Sequence, residues 1–283
     1  MAEIAAILAG AISTSIALQI AALGEMLLER TGRVNLGLEG MIALSASVAV
    51  LAGSKLGSPM LGLLFAVIAG AAFSLAFTFL VEILKADQIV VGLSLVFAGI
   101  GAADIVGKAA GGLPSPPIID NRPFLAASIL LALSLWVILD RSWLGIEIKS
   151  IGDDERKAVE RGLNVRRIRA LASLFCGTMA GVAGAFIVLS IFIGRWFSGV
   201  TSGWGWLSIG VVILGYWNPI GILVSSYLIG ILFYLRPILP ALGLPAQMAD
   251  MMPYLAIIAL LAVSSKGFGK RVRPPASIWR ESV

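Results

Sequence analysis

Long apolar stretches alternate with short polar segments over almost the whole chain. A helix needs about 20 apolar residues to cross roughly 30 Å of hydrocarbon, and the longer stretches meet that requirement. They cover residues 4–24, 36–54, 60–81, 89–106, 123–139 and 170–193. Further apolar segments follow, two of them short, at 206–217, 219–235 and 253–264. This pattern predicts a membrane protein that crosses the bilayer many times as helices.

Residues that break or bend helices interrupt the last third of the chain. They are Gly203, Gly205, Pro219, Pro237, Pro240, Pro245 and Pro253. Short, broken apolar segments often line a pathway, because unpaired backbone at membrane depth is tolerated only where it is buried in protein or faces water. We therefore predict a single all-α transmembrane domain over residues 1–283, a bundle of eight to ten membrane helices with broken or re-entrant segments.

The composition agrees with a lipid environment and excludes several kinds of site. The chain has 283 residues, of which 59% are hydrophobic and 13% are charged, whereas soluble domains are about a quarter charged. The single cysteine, Cys176, and the lack of histidine exclude an intrachain disulfide and argue against a metal site or a Ser-His triad. The first apolar stretch has neither a basic start nor a cleavage site, so we expect no cleavable signal peptide.

Positive charge is concentrated in two segments. The segment 141–169 carries Arg141, Lys149, Arg156, Lys157, Arg161, Arg166, Arg167 and Arg169, and the tail 266–283 carries Lys266, Lys270, Arg271, Arg273 and Arg280. Basic loops next to apolar spans mark the cytoplasmic side of a membrane protein, which we favour over a nucleic-acid partner. With both segments cytoplasmic, five spans before the loop place the N-terminus outside, unless a segment is re-entrant.

Polar residues within the spans are candidates for a solute path. No phosphate-binding loop of the GxxxxGK[ST] type is present, and no acid–base pair is evident, so we expect a transport chain and not an enzyme. Charged groups at membrane depth usually face a bundle interior or a wet cavity, as we expect for Glu25, Glu39 and Asp104. The path candidates that we select are Asn35, Glu39, Gln88 and Trp206.

Glu39 has three possible roles from the sequence alone. It lies in "TGRVNLGLEGMIALSA", between Gly37 and Gly40. It is a pathway or gating residue, a partner of Arg30 or Arg33, or a polar helix cap. Trp206 lies near Trp204 and Trp217, for which anchoring at the membrane interface is the simpler interpretation.

The basic loop contains a short amphipathic helix. Acidic residues occupy its predicted first turn, where negative charge suits the helix dipole, and Gly162 is a natural end. We expect the i,i+4 pairs Asp153–Lys157 and Arg156–Glu160 within this helix. We also expect Ala158 and Val159 to face outward, with Leu163 nearby. A partner's groove and an anionic lipid surface both suit such a helix. The residues concerned are Asp153, Asp154, Glu155, Ala158, Val159, Gly162 and Leu163.

Three segments together resemble a known family. They are "ERTGRVNLGLEGMIALSA" (29–46), "GIEIKSIGDDERKAVERGLNVRRIRALASLFCGTMAGVAGA" (145–185) and "GWGWLSIGVVILGYWNPIG" (203–221). They are similar to the permease subunits of ABC importers of the ribose and branched-chain amino acid type. Within that group the chain most resembles the shorter of two paralogous permeases for nucleoside and simple-sugar uptake. The segments "FIGRWFSG" (192–199) and "PILPALGLPAQ" (237–247) depart from the family pattern.

The resemblance implies partners and a mechanism. Two permease chains would form the pore, as a heterodimer with a longer relative or as a homodimer. Separate ATPase subunits would bind ATP and Mg²⁺ on the cytoplasmic side, and an extracytoplasmic solute-binding protein would deliver the solute. The segment 153–163 matches the coupling helix that docks on the ATPase. Nucleosides are the first expected substrate, simple sugars the second and branched-chain amino acids the third. A secondary transporter driven by an ion gradient is the competing class.

Overall fold

The computed structural model describes residues 2–111, 113–267 and 274–279. Its longer helical elements are α1 (Ala2–Glu29), α2 (Leu38–Leu56), α3 (Pro59–Thr78), α4 (Gln88–Ala109), α5 (Asn121–Arg141), α6 (Trp143–Asp153), α7 (Glu155–Glu160), α8 (Val165–Phe186), α9 (Trp204–Leu214), α10 (Pro219–Leu235) and α11 (Ala246–Gly267). Most of the basic tail expected at 266–283, including Lys270, Arg271, Arg273 and Arg280, lies outside the described residues.

The predicted all-α membrane bundle is confirmed. Seven helical segments in the described part of the chain are long and apolar enough to cross a membrane, namely Ala6–Glu29, Leu38–Leu56, Pro59–Ile83, Gln88–Ala109, Asn121–Arg141, Val165–Ile191 and Ala246–Val263. The apolar helices α9 and α10 are shorter, with 11 and 17 residues. Together with these two shorter helices, the described part of the chain has nine apolar helical segments, against the eight to ten membrane helices predicted.

Hydrogen bonds between helices show which helix ends lie on the same side of the bundle. On the side of α7, Arg30 after α1 donates to the Trp217 carbonyl at 2.8 Å, and Val34 donates to Gln88 at the start of α4 at 3.2 Å. On the opposite side, Asn121 at the start of α5 donates to Ser13 of α1 at 2.9 Å. The N-terminal end of α1 and the short helix α7 therefore lie on opposite sides.

Close helix crossings depend on glycine. Gly99 of α4 faces Gly40 of α2 so closely that a Cβ atom on Gly99 would lie 2.5 Å from the Gly40 Cα. Gly177 of α8 meets Gly70 of α3 backbone to backbone, and a Cβ on Gly181 would lie 2.6 Å from the Val67 Cα. Small residues allow this approach where lipid provides no hydrophobic drive between helices. The small-residue stripe of α8 thus packs against α3.

Two membrane helices end in π-helical turns. Phe79–Ile83 continues α3, and Ile187–Ile191 continues α8. After the π-helical turn at Ile187–Ile191, the chain is irregular up to Gly203. Gly203 has a φ of 89° and directly precedes α9. Because α9 has only 11 residues, or about 16 Å at 1.5 Å per residue, it covers about half the bilayer. The irregular segment 192–203 completes this crossing.

Candidate solute pathway and coupling helix

Glu39 caps the half-length helix α9. Its side chain is buried in the first turn of α2. One carboxylate oxygen accepts the Gly203 N–H at 2.7 Å, and the other accepts those of Gly205 at 2.7 Å and Trp206 at 3.3 Å. The first N–H groups of a helix lack intrahelical partners and carry partial positive charge. The carboxylate therefore satisfies this helix start within the bundle.

The two arginines near Glu39 in the sequence bind elsewhere. Arg30 donates to the Trp217 carbonyl, and Arg33 donates to Glu82 at 2.6 Å. Of the roles considered for Glu39, the ion pair is excluded and the helix cap is observed. The capped helix is distant in the chain, which is why the sequence did not identify it.

A cavity of about 110 Å³ lies beside the Glu39 cap. Its wall combines two carboxylates with hydroxyl groups and an indole, and its lining residues are Glu39, Ala43, Ile100, Ala103, Asp104, Trp196, Gly199, Thr201 and Ser202. Both oxygens of Asp104 accept from the Ser198 hydroxyl, at 2.7 and 2.8 Å. Small-molecule pockets usually hold about 300–1,000 Å³, so this cavity is a polar recess and not a closed solute site.

The other path candidates are not among the residues that line this recess. Asn35 receives the Gly37 N–H at 2.9 Å and donates its own N–H to Glu25 at 2.7 Å, which shapes the turn into α2. The Gln88 side chain accepts the Val34 N–H and donates to the Ile278 carbonyl, on the α7 side. Trp206 shares only its backbone N–H with Glu39. Asp104 and Trp196 line the recess but were not selected as path candidates. Trp196 lies in the segment 192–199, whose departure from the family pattern was the one sequence feature that pointed to it.

The short helix in the basic loop begins later than predicted. Asp153 ends α6, and Asp154 caps α7 by accepting the Lys157 N–H at 3.2 Å. Lys157 also pairs with Asp154 at 3.2 Å, in place of the i,i+4 pair expected with Asp153. Gly162, with a φ of 82°, lies just after the helix, as expected for a helix end.

Ala158 and Val159 point in different directions. Val159 is 57% exposed, but Ala158 is only 1% exposed and packs with Ile151 and Val165. The prediction that Ala158 faces outward is therefore wrong, because this face of α7 is used to attach the helix to α6 and α8. Leu163 packs against the same cluster. The outer face of α7 consists of Val159 and its charged neighbours Arg156, Lys157 and Glu160.

A buried group of four charged side chains joins α7 to the bundle. Arg169 of α8 donates to both carboxylate oxygens of Glu155, at 3.0 and 2.9 Å, and lies 3.6 Å from Glu82. Glu82 is also the partner of Arg33. Partial burial of Glu155 opposes its ionisation, but the hydrogen bonds and charge of Arg169, with Arg33 and Lys85 nearby, hold the pKa of this carboxyl below its ordinary value of 4.5.

Comparison with known proteins identifies the family. The family described as the permease component of branched-chain amino acid transport systems matches residues 7–261. The chain belongs to this permease family. No solved structure matches it. Among the described residues, no group of three or more Cys, Asp or Glu side chains is arranged to hold a metal ion.

Curated relatives cover nearly the whole permease. It is 30% identical to the putative glucose ABC transporter permease protein TsgC13 of Haloferax volcanii, over 93% of this chain and 92% of that protein. It is 30% identical to the guanosine ABC transporter permease protein NupQ of Bacillus subtilis, over 90% and 89% of the two chains. It is 26% identical to a second guanosine permease of that organism, NupP, over 83% and 75%. The resemblance to nucleoside and sugar permeases is thus confirmed.

Proposed function

We propose that this permease is a pore-forming subunit of an ATP-driven importer that moves a nucleoside, or else a simple sugar, across the cytoplasmic membrane by alternating access. The observation that carries the proposal is the similarity, over about nine-tenths of the chain, to permeases named for guanosine and for glucose. These relatives are named for guanosine and for glucose and not for an amino acid. We therefore favour these two solutes over branched-chain amino acids.

The recess beside Glu39 suits part of a path for such a solute. The Asp104 carboxylate accepts hydrogen bonds, and Thr201 and Ser202 can both donate and accept them. The Trp196 indole offers an aromatic face of the kind that packs against a sugar or base ring. Because the recess is small, we propose that a second permease chain completes the path. Bacillus subtilis has two guanosine permeases similar to this chain, which supports a heterodimer.

The basic side of the bundle gives the proposed orientation. The exposed cations Arg156, Lys157, Arg161, Arg166 and Arg167 surround α7, and positive loops are retained in the cytoplasm. We place α7 there, with its Val159 face against a separate ATPase subunit that binds ATP and Mg²⁺. An extracytoplasmic binding protein would supply solute to the opposite side. Each ATPase state then needs to favour one permease conformation by only a few kcal/mol.

Reconstituted vesicles test this proposal against a gradient-driven transporter. The complex is assembled with its ATPase and binding protein, and labelled guanosine and glucose uptake are compared. We expect uptake only when ATP is present on the α7 side, and none with an ATPase variant that cannot hydrolyse ATP. Uptake driven by a proton or sodium gradient without ATP would contradict the proposal.

A further inference from the structure

Arg169 is the most deeply buried charged residue at the base of α7. It lies in the first two turns of α8 and is 1% exposed. Its two terminal nitrogens bind the two oxygens of Glu155, the first residue of α7. A bidentate pair of this kind fixes the orientation of both groups, because the planar guanidinium matches the carboxylate. The Glu155–Arg169 pair is therefore a direct and geometrically defined link between α7 and α8.

The same guanidinium also holds the connection between α1 and α2. Its Nε atom donates to the Thr31 carbonyl at 3.1 Å. Its charge is shared with Glu82, which binds Arg33 two residues further along that connection. Arg169 thus contacts α7 on one side and the α1–α2 connection on the other.

The α1–α2 connection leads directly to the recess. Six residues beyond Arg33, Glu39 caps α9 and forms part of the cavity wall. Between them, Asn35 is bonded to Glu25 of α1, and its side chain accepts the Gly37 N–H, so the connection is held in one conformation. The Thr31–Arg33 segment is thus connected through the backbone of residues 34–38 to the first turn of α2, and through Glu39 to the start of α9.

The other attachment of α7 reaches this connection only by way of α6, where Gly152 packs against the Arg30 carbonyl. Ala158 packs with Ile151 and Val165, which belong to α6 and α8. Within the charged group, Arg33 Nη2 is buried and has no hydrogen-bond partner among the described residues, so it can accommodate a further acceptor.

We propose that Arg169 is the positioning residue that couples movement of α7 to the solute recess, through Glu155 on one side and the Thr31–Arg33 segment on the other. This inference rests on the proposed function, since it assumes that an ATPase moves α7. It assigns the transmission to one buried guanidinium and not to the general packing of α7.

The test uses a reporter in the recess of the complete transporter complex. Ser202→Cys places a thiol on the cavity wall, and the native Cys176 is 0% exposed, so it gives little background. The rate of alkylation by a small water-soluble maleimide is measured without nucleotide and after trapping with ATP and vanadate. The reporter is combined with Arg169→Lys, which keeps the charge but loses the fork, and with Glu155→Gln, whose side chain is partly exposed and tolerates change. Lys149→Gln is the matched control, because it removes the exposed Lys149–Asp140 pair of the neighbouring helix α6, outside both the cluster and the outer face of α7.

We expect ATP trapping to change the alkylation rate about tenfold in the parent reporter and in Lys149→Gln. In Arg169→Lys and Glu155→Gln we expect the ATPase to copurify at the parent level while this response is lost. We expect the double variant to lose no more of the ATP response than either single variant, because both substitutions break the same Arg169–Glu155 pair. A retained ATP response in both single variants, with the ATPase bound, would overturn the inference alone. No ATP response in the parent complex would overturn the proposed function, and this inference with it.

Discussion

At the scale of single residues, the buried charges of this permease have separate structural tasks. Glu39 caps a helix, while Glu82 and Glu155 balance two arginines. An unpaired charge at membrane depth is costly, so each carboxylate is held by N–H donors or by a guanidinium. The sequence showed which residues are polar within spans. It did not show their partners, since Glu39 and Gly203 are 164 positions apart.

Replacing Glu39 tests whether the cap supports both the fold and the path. Glu39→Gln loses the negative charge and turns one acceptor into an NH₂ group that faces backbone N–H donors. Hydrogen bonds to charged groups contribute about 1.5–3 kcal/mol each, so we expect a lower unfolding temperature in detergent and slower uptake. Asp120→Asn is the control, because Asp120 caps α5 from an exposed position with one bond to Arg122. An unchanged unfolding temperature for Glu39→Gln would contradict the assigned cap.

The Glu155–Arg169 pair should respond to pH in a defined direction. The pKa of Glu155 is held below 4.5 in the folded chain, so its stabilising contribution is complete above that value and is lost as pH falls through the lower, folded pKa. We expect the difference in unfolding temperature between the parent chain and Glu155→Gln to stay constant from neutral pH down to about pH 5. Below about pH 4 the difference should shrink. A difference that disappears near pH 6 would contradict the ion pair.

At the scale of helices, apolar length predicted where the chain crosses the membrane. The segment 219–235 matches α10 at both ends. The pattern failed where tertiary contacts decide the boundary. Helix α1 continues beyond residue 24 to Glu29, because Glu25 and Glu29 are buried against other helices. The start of α7 moved because Asp154, and not Asp153, accepts the capping N–H. Helix α6 was not predicted as a separate element.

A pair of glycines on α4 tests the close helix crossings. Gly99 meets the Gly40 backbone, whereas a Cβ atom on Gly101 would have nothing within 4 Å. Overpacking costs about 1–3 kcal/mol, and here the obstacle is backbone that cannot rotate away. We expect Gly99→Ala to lower the unfolding temperature and the yield of assembled complex. We expect Gly101→Ala to be neutral or slightly stabilising, since alanine is the better helix former. Equal behaviour of the two variants would contradict the crossing.

Helix α7 offers two neighbouring sites with opposite expected effects. Val159→Asp adds a charge to the exposed face, and an unpaired charge buried by docking costs several kcal/mol. We therefore expect it to abolish ATPase copurification and uptake while the free permease remains as stable as before. Ala158→Asp puts the charge inside the cluster with Ile151 and Val165, so we expect the free permease itself to lose stability. Lys157→Ala removes an exposed pair worth about 0–1 kcal/mol and should retain the ATPase. Full retention by Val159→Asp would show that α7 rests on lipid.

At the scale of the whole molecule, the apolar helices arrange the local features on two sides of one bundle. The α7 side holds the charged cluster around Arg169 and the turn at Trp217. The opposite side holds the contact between Asn121 and Ser13. The recess lies between them, at the start of the half-length helix α9. The sequence predicted five spans before the basic loop, and α1 to α5 provide five helices of sufficient apolar length. Hydropathy alone did not show that residues 192–214 combine an irregular segment with a short helix.

Two introduced cysteines, each in a separate variant, test this arrangement directly. Val159→Cys lies on the outer face of α7, and Leu242→Cys lies in the turn after α10, where the side chain is 74% exposed. A membrane-impermeant maleimide is applied to right-side-out and to inverted vesicles without the ATPase, and the buried Cys176 serves as background.

If α8, α9 and α10 make three crossings between them, positions 159 and 242 lie on opposite faces of the membrane. We expect Val159→Cys to react only in inverted vesicles, since basic loops stay in the cytoplasm, and Leu242→Cys only in right-side-out ones. Reaction of both from the same face would show that residues 192–214 re-enter without crossing. It would move the Glu39 cap from the middle of a path to the floor of a closed vestibule, where a solute could bind but could not pass.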